Sequence, residues 1–204
     1  GASSRLARAI ATELDRDHEL RLMDSVQVDP DGNAEFFQGS ILESDDAQRA
    51  VNGIEALIHI GEPPSDIPRQ GHGRDQALLD LATRGTHVLF QAGIEAGVKR
   101  FIYAGSLSVF SNYPDDVYIS EAWKPLPTPE ITQMTRYLGE LICREFARCN
   151  MITVTSLRLG KLVLEEETGG HPPDPMWLDF RDAAQAFRCA LNRDHSGDVW
   201  WARR

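Results

Sequence analysis

The chain opens with small and polar residues that lead directly into a helix, a combination suited to binding phosphate. In a dinucleotide-binding loop, glycines let backbone N–H groups approach a pyrophosphate, which faces the N-terminus of the following helix. The opening stretch here is Gly1-Ala2-Ser3-Ser4-Arg5-Leu6, and of those glycines only Gly1 remains. Depending on the spacing, Ser4 or Arg5 takes the place of the middle glycine and Ala7 that of the last. The stretch therefore predicts a nucleotide-binding type of fold, while its substitutions question the binding itself.

Helices and strands must alternate behind this loop to hold it in place. Leu6, Ile10 and Leu14 recur at helical spacing, and the later apolar runs divide in the same way between helical and extended patterns. We predict helices over residues 4–14, 45–52 (capped by Ser44), 75–96, 130–149 and 181–191. We predict strands over residues 20–24, 34–37, 56–60, 101–104, 152–159 and 198–201. This alternation predicts an α/β fold with a Rossmann-like, doubly wound, mostly parallel sheet.

The position of the loop at residue 1 raises a question about the sheet. In a doubly wound sheet with strand order 3-2-1-4-5-6, an apolar strand precedes this loop and lies in the middle. The sequence contains no residues for it. We therefore expect either upstream residues beyond this sequence or a rearranged sheet.

Composition narrows the classes of partner. The chain has 204 residues, of which 42% are hydrophobic, enough for one domain over residues 1–204. Its net charge of -10 argues against nucleic acid or an anionic membrane as a partner. No apolar run approaches the roughly 18 residues of a membrane helix, and no signal peptide is visible. The odd count of three cysteines, without a CxxC pair, is typical of reduced thiols, so we expect a cytoplasmic protein.

Two further residue types bear on partners. The histidines at positions 72, 87, 171 and 195 lack metal-ligand spacing, so we expect no metal site. Trp200 and Trp201 are consecutive in the last predicted strand and must point to opposite faces. We expect one of them to mark a surface covered by a partner, as in a homodimer, or by further C-terminal residues.

Several segments resemble the extended short-chain dehydrogenase/reductase family, the NAD-dependent epimerase/dehydratases. The longest, residues 96–110, reads AGVKRFIYAGSLSVF and is similar to the family's AGVKRFVYASS-x-x-VY. The shorter ones are Gln38-Gly39-Ser40-Ile41, His59-Ile60-Gly61, Gly85-Thr86 and Leu157-Arg158-Leu159-Gly160. The short segment after Gly160 looks most like the small uronate-dehydrogenase-like members, which implies a minimal C-terminal substrate segment.

The resemblance implies a set of cofactor-binding residues. Asp24 falls where the family's acidic residue hydrogen-bonds the adenosine ribose, which favours NAD over NADP; its alternative role is an ordinary loop carboxylate or helix cap. Arg5 instead favours NADP, because a guanidinium can pair with a phosphate. Ser40 and Glu62 replace an aspartate and a small residue of the family pattern. The implied cofactor-binding residues are Gly1, Ser3, Ser4, Arg5, Leu6, Asp24, Ser40, Ile41, Ile60, Gly61 and Ala104.

The implied catalytic residues depart further from the family. The family's chemistry uses a Tyr-x-x-x-Lys pair together with a serine or threonine at the end of the preceding strand. Ser106 fits the position of this serine or threonine. Thr132 and Arg136 fall where the tyrosine and the lysine belong. No Tyr-x-x-x-Lys occurs in the 204 residues. Tyr118 and Tyr137 lie nearby in sequence, without the right partner.

Two functional hypotheses follow. The first is an NAD-dependent oxidoreductase or epimerase-like enzyme acting on a small sugar or sugar acid. The second is a non-catalytic, ligand-sensing or scaffold protein that keeps the fold. Both expect a small-molecule ligand, and fold-level resemblance alone does not separate them.

Overall fold

The computed structural model describes residues 1–114, 116–170, 172 and 174–193. Helices and strands alternate along these residues as predicted. The helices are α1 (Arg5–Leu14), α2 (Ser44–Val51), α3 (His72–Asp80), α4 (Thr86–Glu95), α5 (Ile131–Cys149) and α6 (Phe180–Asn192). The strands are β1 (Arg21–Asp24), β2 (Glu35–Gln38), β3 (Ala56–His59), β4 (Arg100–Ser106), β5 (Thr153–Leu159), β6 (Lys161–Val163) and β7 (Trp177–Asp179).

The strands form parallel ladders in separate sections. β3, β4 and β5 pair in that order, with Ile58 opposite Ile102 and Ile102 opposite Thr155. β1 and β2 form a second parallel pair, in which Leu22 lies opposite Phe36. Parallel strands with helices between them confirm the Rossmann-like α/β fold.

The break between the two sections falls where the strand order predicts it. β1 and β2 take the places of strands 2 and 3 in the order 3-2-1-4-5-6, and β3 to β5 those of strands 4 to 6. Residues of the opening loop lie across the end of this break. The Ala2 N–H donates to the Met23 carbonyl (3.3 Å), and a Cβ on Gly1 would lie 3.5 Å from Cβ of Ile60. The loop therefore contacts both sections.

The two faces of the sheet bury separate apolar clusters. Side chains of a strand alternate between faces, and in β4 Ile102 and Ala104 pack with helices α1 and α6. Phe101 and Tyr103 pack on the other face, against helices α2, α4 and α5. The largest fully buried side chains include Phe187 on the first face and Phe90 and Phe101 on the second. The sheet is thus covered on both sides, as continuous apolar strands require.

The predicted helix over residues 75–96 is wrong in one respect. A π turn, Leu81–Gly85, separates α3 from α4. Within it Gly85 packs closely on Ile41, in the loop between β2 and α2. A Cβ at position 85 would lie 2.7 Å from Cδ1 of Ile41. The Thr86 hydroxyl after the turn contacts the Leu81 carbonyl at 3.5 Å. The wider turn lets the chain pass Ile41 and brings Thr86 to the sheet.

Two smaller differences concern helix and strand ends. Ser44 is the first residue of α2 rather than its cap, and the capping residue Glu43 makes no side-chain hydrogen bond there. The parallel pair of β6 and β7 was not predicted, because three residues are too few for a periodic pattern. The predicted strand 198–201 lies outside the described residues. None of the helices in the described part is both long and apolar enough to cross a bilayer.

Candidate functional site

A cleft of about 310 Å³ lies beyond the carboxyl ends of β1, β2 and β3. Ligands of open α/β sheets bind at this end of the strands. Seven of the residues that the family resemblance implied line it, namely Gly1, Asp24, Ser40, Ile41, Gly61, Thr132 and Arg136. The other seven do not line it: Ser3, Ser4, Arg5, Leu6, Ile60, Ala104 and Ser106. The structure therefore brings together half of the set in one place.

Asp24 is the most buried acidic group of the cleft. It ends β1 and is only 3% exposed. Its Oδ2 accepts hydrogen bonds from the backbone N–H and the hydroxyl of Ser3, both at 2.9 Å, and its Oδ1 accepts from the Val26 N–H at 3.2 Å. Burial acts to raise the pKa of Asp24, but the amino group of Gly1 and these hydrogen bonds outweigh it, so the pKa lies below its ordinary value. The carboxylate is ionised at neutral pH.

The rest of the opening loop serves the start of α1. Ser4 is the N-cap, and its hydroxyl accepts from the Ala7 N–H at 3.1 Å. Arg5 turns away from the cleft, donating to Glu167 at 2.9 Å with its guanidinium 4.9 Å from the Phe180 ring centre. Leu6 is buried in the core cluster of α1 and α6. In this arrangement the guanidinium of Arg5 contacts Glu167 and Phe180 and does not point toward a phosphate in the cleft.

Arg136, on α5, is held in the cleft by three acceptors. Its Nη1 donates to the Ile60 carbonyl at 3.0 Å and to the Ala104 carbonyl at 3.5 Å. Its Nη2 donates to Oε1 of Glu62 at 2.7 Å, a charge-assisted hydrogen bond. The guanidinium thus joins the ends of β3 and β4 to the loop that follows Gly61. Glu62, which departs from the family pattern, is its ionic partner.

The Thr132 hydroxyl donates to Glu130 in the first turn of α5. Glu130 is the N-cap of this helix, and its carboxylate also accepts from the N–H groups of Thr132 and Gln133, each at 3.1 Å. The Thr132 hydrogen bonds, chiefly that from its hydroxyl, lower the pKa of Glu130. Thr132 therefore lines the cleft while its hydroxyl stabilises the helix start.

Ser106 has a local role at the end of β4. It is the N-cap of the 3₁₀ turn Leu107–Phe110 and accepts from the Ser108 N–H at 3.1 Å. Its hydroxyl donates to the Ser108 hydroxyl at 2.9 Å. Ser106 and Thr132 each bond within their own segment. Neither Tyr118 nor Tyr137 lines the cleft.

Below the cleft lies a buried polar pair, His59 at the end of β3 and Thr86 at the start of α4. His59 Nε2 and Thr86 Oγ1 are 3.0 Å apart. Burial, with the guanidinium of Arg136 adding to it, lowers the pKa of His59 to about 3, so the ring is neutral at physiological pH. The Tyr103 ring lies 5.6 Å from His59, and burial raises the pKa of its hydroxyl well above the ordinary value. Neither group is a proton shuttle near neutral pH.

The charge of the cleft comes from acidic side chains and arginines. Asp66 and Asp80 line it together with Asp24 and Glu62, and its cationic side chains are those of Arg74 and Arg136. Arg74, near the start of α3, was missed by sequence reasoning because a single arginine in a loop-to-helix junction carries no motif. Within the described part of the chain, no cluster of histidine, cysteine and acidic residues could hold a metal ion.

Residues 1–176 match the NAD dependent epimerase/dehydratase family. The chain belongs to this family. The membership predicted from the segments around residues 38–41 and 96–110 is therefore confirmed. The family is NAD-dependent, which agrees with a cleft at the carboxyl ends of the strands.

Two curated relatives align with most of the chain. It is 25% identical over 223 residues to the NAD-dependent glucose-6-phosphate dehydrogenase of Haloferax volcanii, covering 98% of this chain and 81% of that protein. It is 26% identical over 200 residues to the uronate dehydrogenase of Pseudomonas syringae pv. tomato, covering 92% of this chain and 70% of that protein.

A solved structure with its cofactor is also similar. A short-chain dehydrogenase/reductase superfamily protein from Agrobacterium tumefaciens with bound NAD superposes with a TM-score of 0.70 at 25% identity. The match covers 80% of this chain and 48% of that one, so this chain spans about half the length of that protein.

Proposed function

We propose that this chain binds NAD in the cleft and is an NAD-dependent oxidoreductase of a small sugar or sugar acid. The observation that carries the proposal is a cleft that collects Asp24, Gly61, Thr132 and Arg136 from three separate parts of the chain: the end of β1, the loop after β3 and helix α5. The relatives that cover most of the chain, a glucose-6-phosphate dehydrogenase and a uronate dehydrogenase, support the class of substrate.

The adenosine side of the cleft fits NAD. Asp24 lines the cavity and is ionised, so the acceptor site left on its carboxylate would accept from a ribose hydroxyl, and its charge would repel a 2′-phosphate. Gly61 has a left-handed φ of 64°, which a residue with a side chain rarely adopts. Arg5, whose guanidinium would favour NADP by pairing with its phosphate, donates its hydrogen bond to Glu167 instead. These contacts favour NAD over NADP.

When bound, the nicotinamide supplies the hydride acceptor. Arg136 would hold ribose hydroxyls in place of the family's lysine, but a guanidinium does not become a neutral base. Thr132 can orient a substrate oxygen, yet a threonine hydroxyl is too weak an acid to exchange protons near neutral pH. Losing a positioned acid/base costs about 10²–10⁴-fold in rate. We therefore expect slow turnover.

Titration of the 204-residue protein with NAD, NADH, NADP and NADPH, followed by calorimetry, tests the binding. NAD should bind at least about tenfold more tightly than NADP, a difference of about 1.4 kcal/mol. Asp24→Asn should reduce this preference, whereas Asp31→Asn, at an exposed turn, should keep it. Millimolar or absent binding of all four nucleotides would overturn the proposal.

A gain-of-function variant tests the chemistry. Thr132→Tyr/Arg136→Lys restores the family's pair at the two positions that line the cleft. NADH formation with glucuronate or glucose 6-phosphate should rise by about 10²–10⁴-fold over wild type. Thr132→Tyr alone, without the lysine, is the matched control and should gain less. If the double variant gains nothing, the site has departed from oxidoreduction beyond these two positions.

A second candidate is ligand binding without hydride transfer, as in a sensing or scaffold protein. The hydrogen bond from Thr132 to Glu130 favours it, because the group in the acid/base position serves the helix start. Tight NAD binding with no NADH formed from any of a panel of sugars and sugar acids would support this candidate over the first.

A further inference from the structure

Glu62 and Arg136 form an ion pair in the cleft. Nη2 of Arg136 lies 2.7 Å from Oε1 of Glu62, with the two side chains 21% and 38% exposed. The guanidinium is fixed on its other side by the carbonyls of Ile60 and Ala104. It cannot follow Glu62 away from the sheet without losing these bonds. The carboxylate is therefore the partner that moves if the pair opens.

Glu62 begins a segment that runs along the cleft. Pro63, Pro64 and Asp66 of this segment also line the cavity. At the far end the Ser25 hydroxyl lies 3.3 Å from each oxygen of Asp66, longer than an ordinary O–H···O hydrogen bond. The charge-assisted bond at Glu62 is the shorter and stronger of the two attachments. Of these two attachments of residues 62–66, the one at Glu62 is thus the tighter.

The position of this pair matters for the ligand. Arg136 stands where the family's lysine holds the ribose, and Gly61 beside it was implied as a cofactor contact. A Cβ on Gly61 would lie 3.3 Å from Nη1 of Arg136, so the guanidinium fills the space over this glycine. A carboxylate beside a pyrophosphate is repulsive, and one bound to Arg136 also takes the donor that a ligand would use.

We propose that Glu62 is a specificity-determining residue that competes with the ligand for Arg136. In the structure its carboxylate accepts from the guanidinium of Arg136. A ligand that reaches this end of the cleft must bring hydroxyl or acidic oxygens that replace it. The identity of the nucleotide rests on the proposed function, whereas the competition rests on the geometry of this pair.

Calorimetric titration with NAD tests the competition. Glu62→Gln keeps the size of the side chain and removes its charge, so NAD should bind about tenfold more tightly than to wild type. Glu19→Gln, at an exposed position away from the cleft, removes the same charge and should change the affinity less than twofold. In an Arg136→Met background, Glu62→Gln should give less than a threefold gain, because no guanidinium is released. Thermal unfolding without ligand checks that each variant is folded.

The outcomes separate the two proposals. If wild type binds NAD and Glu62→Gln binds it equally well, the competition is overturned and the proposed function stands. An equal gain with and without Arg136 overturns it too, since Glu62 would then act by simple repulsion. If only the Glu62→Gln variant binds NAD, the competition is supported and the proposed function fails for the wild type. If no variant binds NAD, both proposals fail.

Discussion

Serine at position 3 changes how much of Asp24 is open to a ligand. Both donors of Ser3 reach the same oxygen, Oδ2, and the Val26 N–H uses the other. A carboxylate has about four acceptor sites, two on each oxygen. One acceptor site, on Oδ1, is left for a ribose unless the Ser3 hydroxyl turns away. A glycine at this position would free a second site.

His59 gives the clearest dependence of stability on pH at the residue scale. Its pKa is lowered from 6.5 to about 3 in the folded chain, chiefly by burial. The unfolded chain therefore binds a proton between these values while the folded chain does not. Folding stability must fall as the pH drops below about 6.5 and must recover as the pH rises.

We expect this single group to contribute a slope of up to about 1.4 kcal/mol per pH unit below pH 6.5. The free energy of unfolding, measured with urea between pH 7.5 and 5, should fall less steeply on acidification in His59→Gln than in wild type. His72→Gln, at an exposed position, should keep the wild-type slope. Equal slopes in wild type and His59→Gln would contradict the assignment.

At the scale of elements, α5 packs on β4 through a glycine. A Cβ at Gly139 would overlap the Tyr103 hydroxyl and lie 2.9 Å from Cζ of the same ring. Tyr103 is 2% exposed and cannot move outward. The absence of a side chain at position 139 thus sets the distance between this helix and the sheet, and with it the height of Arg136 above Gly61.

Gly139→Ala should destabilise the protein by about 1–3 kcal/mol, because the added methyl overpacks a closed contact. Tyr103→Phe in the same chain should recover part of this loss by removing the overlapping oxygen. Gly73→Ala in α3 is the matched control, since its Cβ would meet only Cγ of Pro68 at 3.7 Å; there we expect a gain of about 0–1 kcal/mol. Chemical denaturation measures all three, and a neutral Gly139→Ala would argue against the close packing.

At the scale of the whole molecule, the first and last described helices close the structure. α1 and α6 pack together over one face of the sheet. Arg188 on α6 donates to the Glu13 carbonyl at 3.0 Å and pairs with Asp17. The other face is closed by elements from the middle of the chain. Since both clusters share strand β4, we propose that residues 1–204 fold as a single unit.

Substitution of one phenylalanine in each cluster tests this cooperativity. Phe187→Leu and Phe101→Leu should each destabilise the whole protein by about 1–2 kcal/mol, because both rings are fully buried. Each variant should keep a single unfolding transition that coincides by near- and far-ultraviolet circular dichroism. Two separate transitions in either variant would show that the faces unfold independently.

The sequence indicated the architecture well because its evidence is local. Apolar spacing in α1 and α5 and the buried runs of β3 and β4 each predict an element from neighbouring residues. The π turn was missed because periodicity does not register a change of hydrogen-bond partner within one continuous helical pattern. The Glu62–Arg136 pair joins residues 74 positions apart, so only the packing of α5 over the ends of β3 and β4 brings it together. The sequence showed that Glu62 replaces a small residue of the family pattern, but it did not show that Arg136 is its partner.

The cationic side chains of the cleft have a practical consequence. Both are arginines, while the three lysines of the chain, Lys99, Lys124 and Lys161, are all exposed and none lines the cavity. A dye, a crosslinker or a sensor surface attached to these lysine side chains will therefore lie outside the cleft, whereas one attached to the amino group of Gly1 would lie at it, beside Asp24. Coupling through lysine side chains thus leaves the cleft open, and modification of guanidinium groups at Arg74 and Arg136 does not.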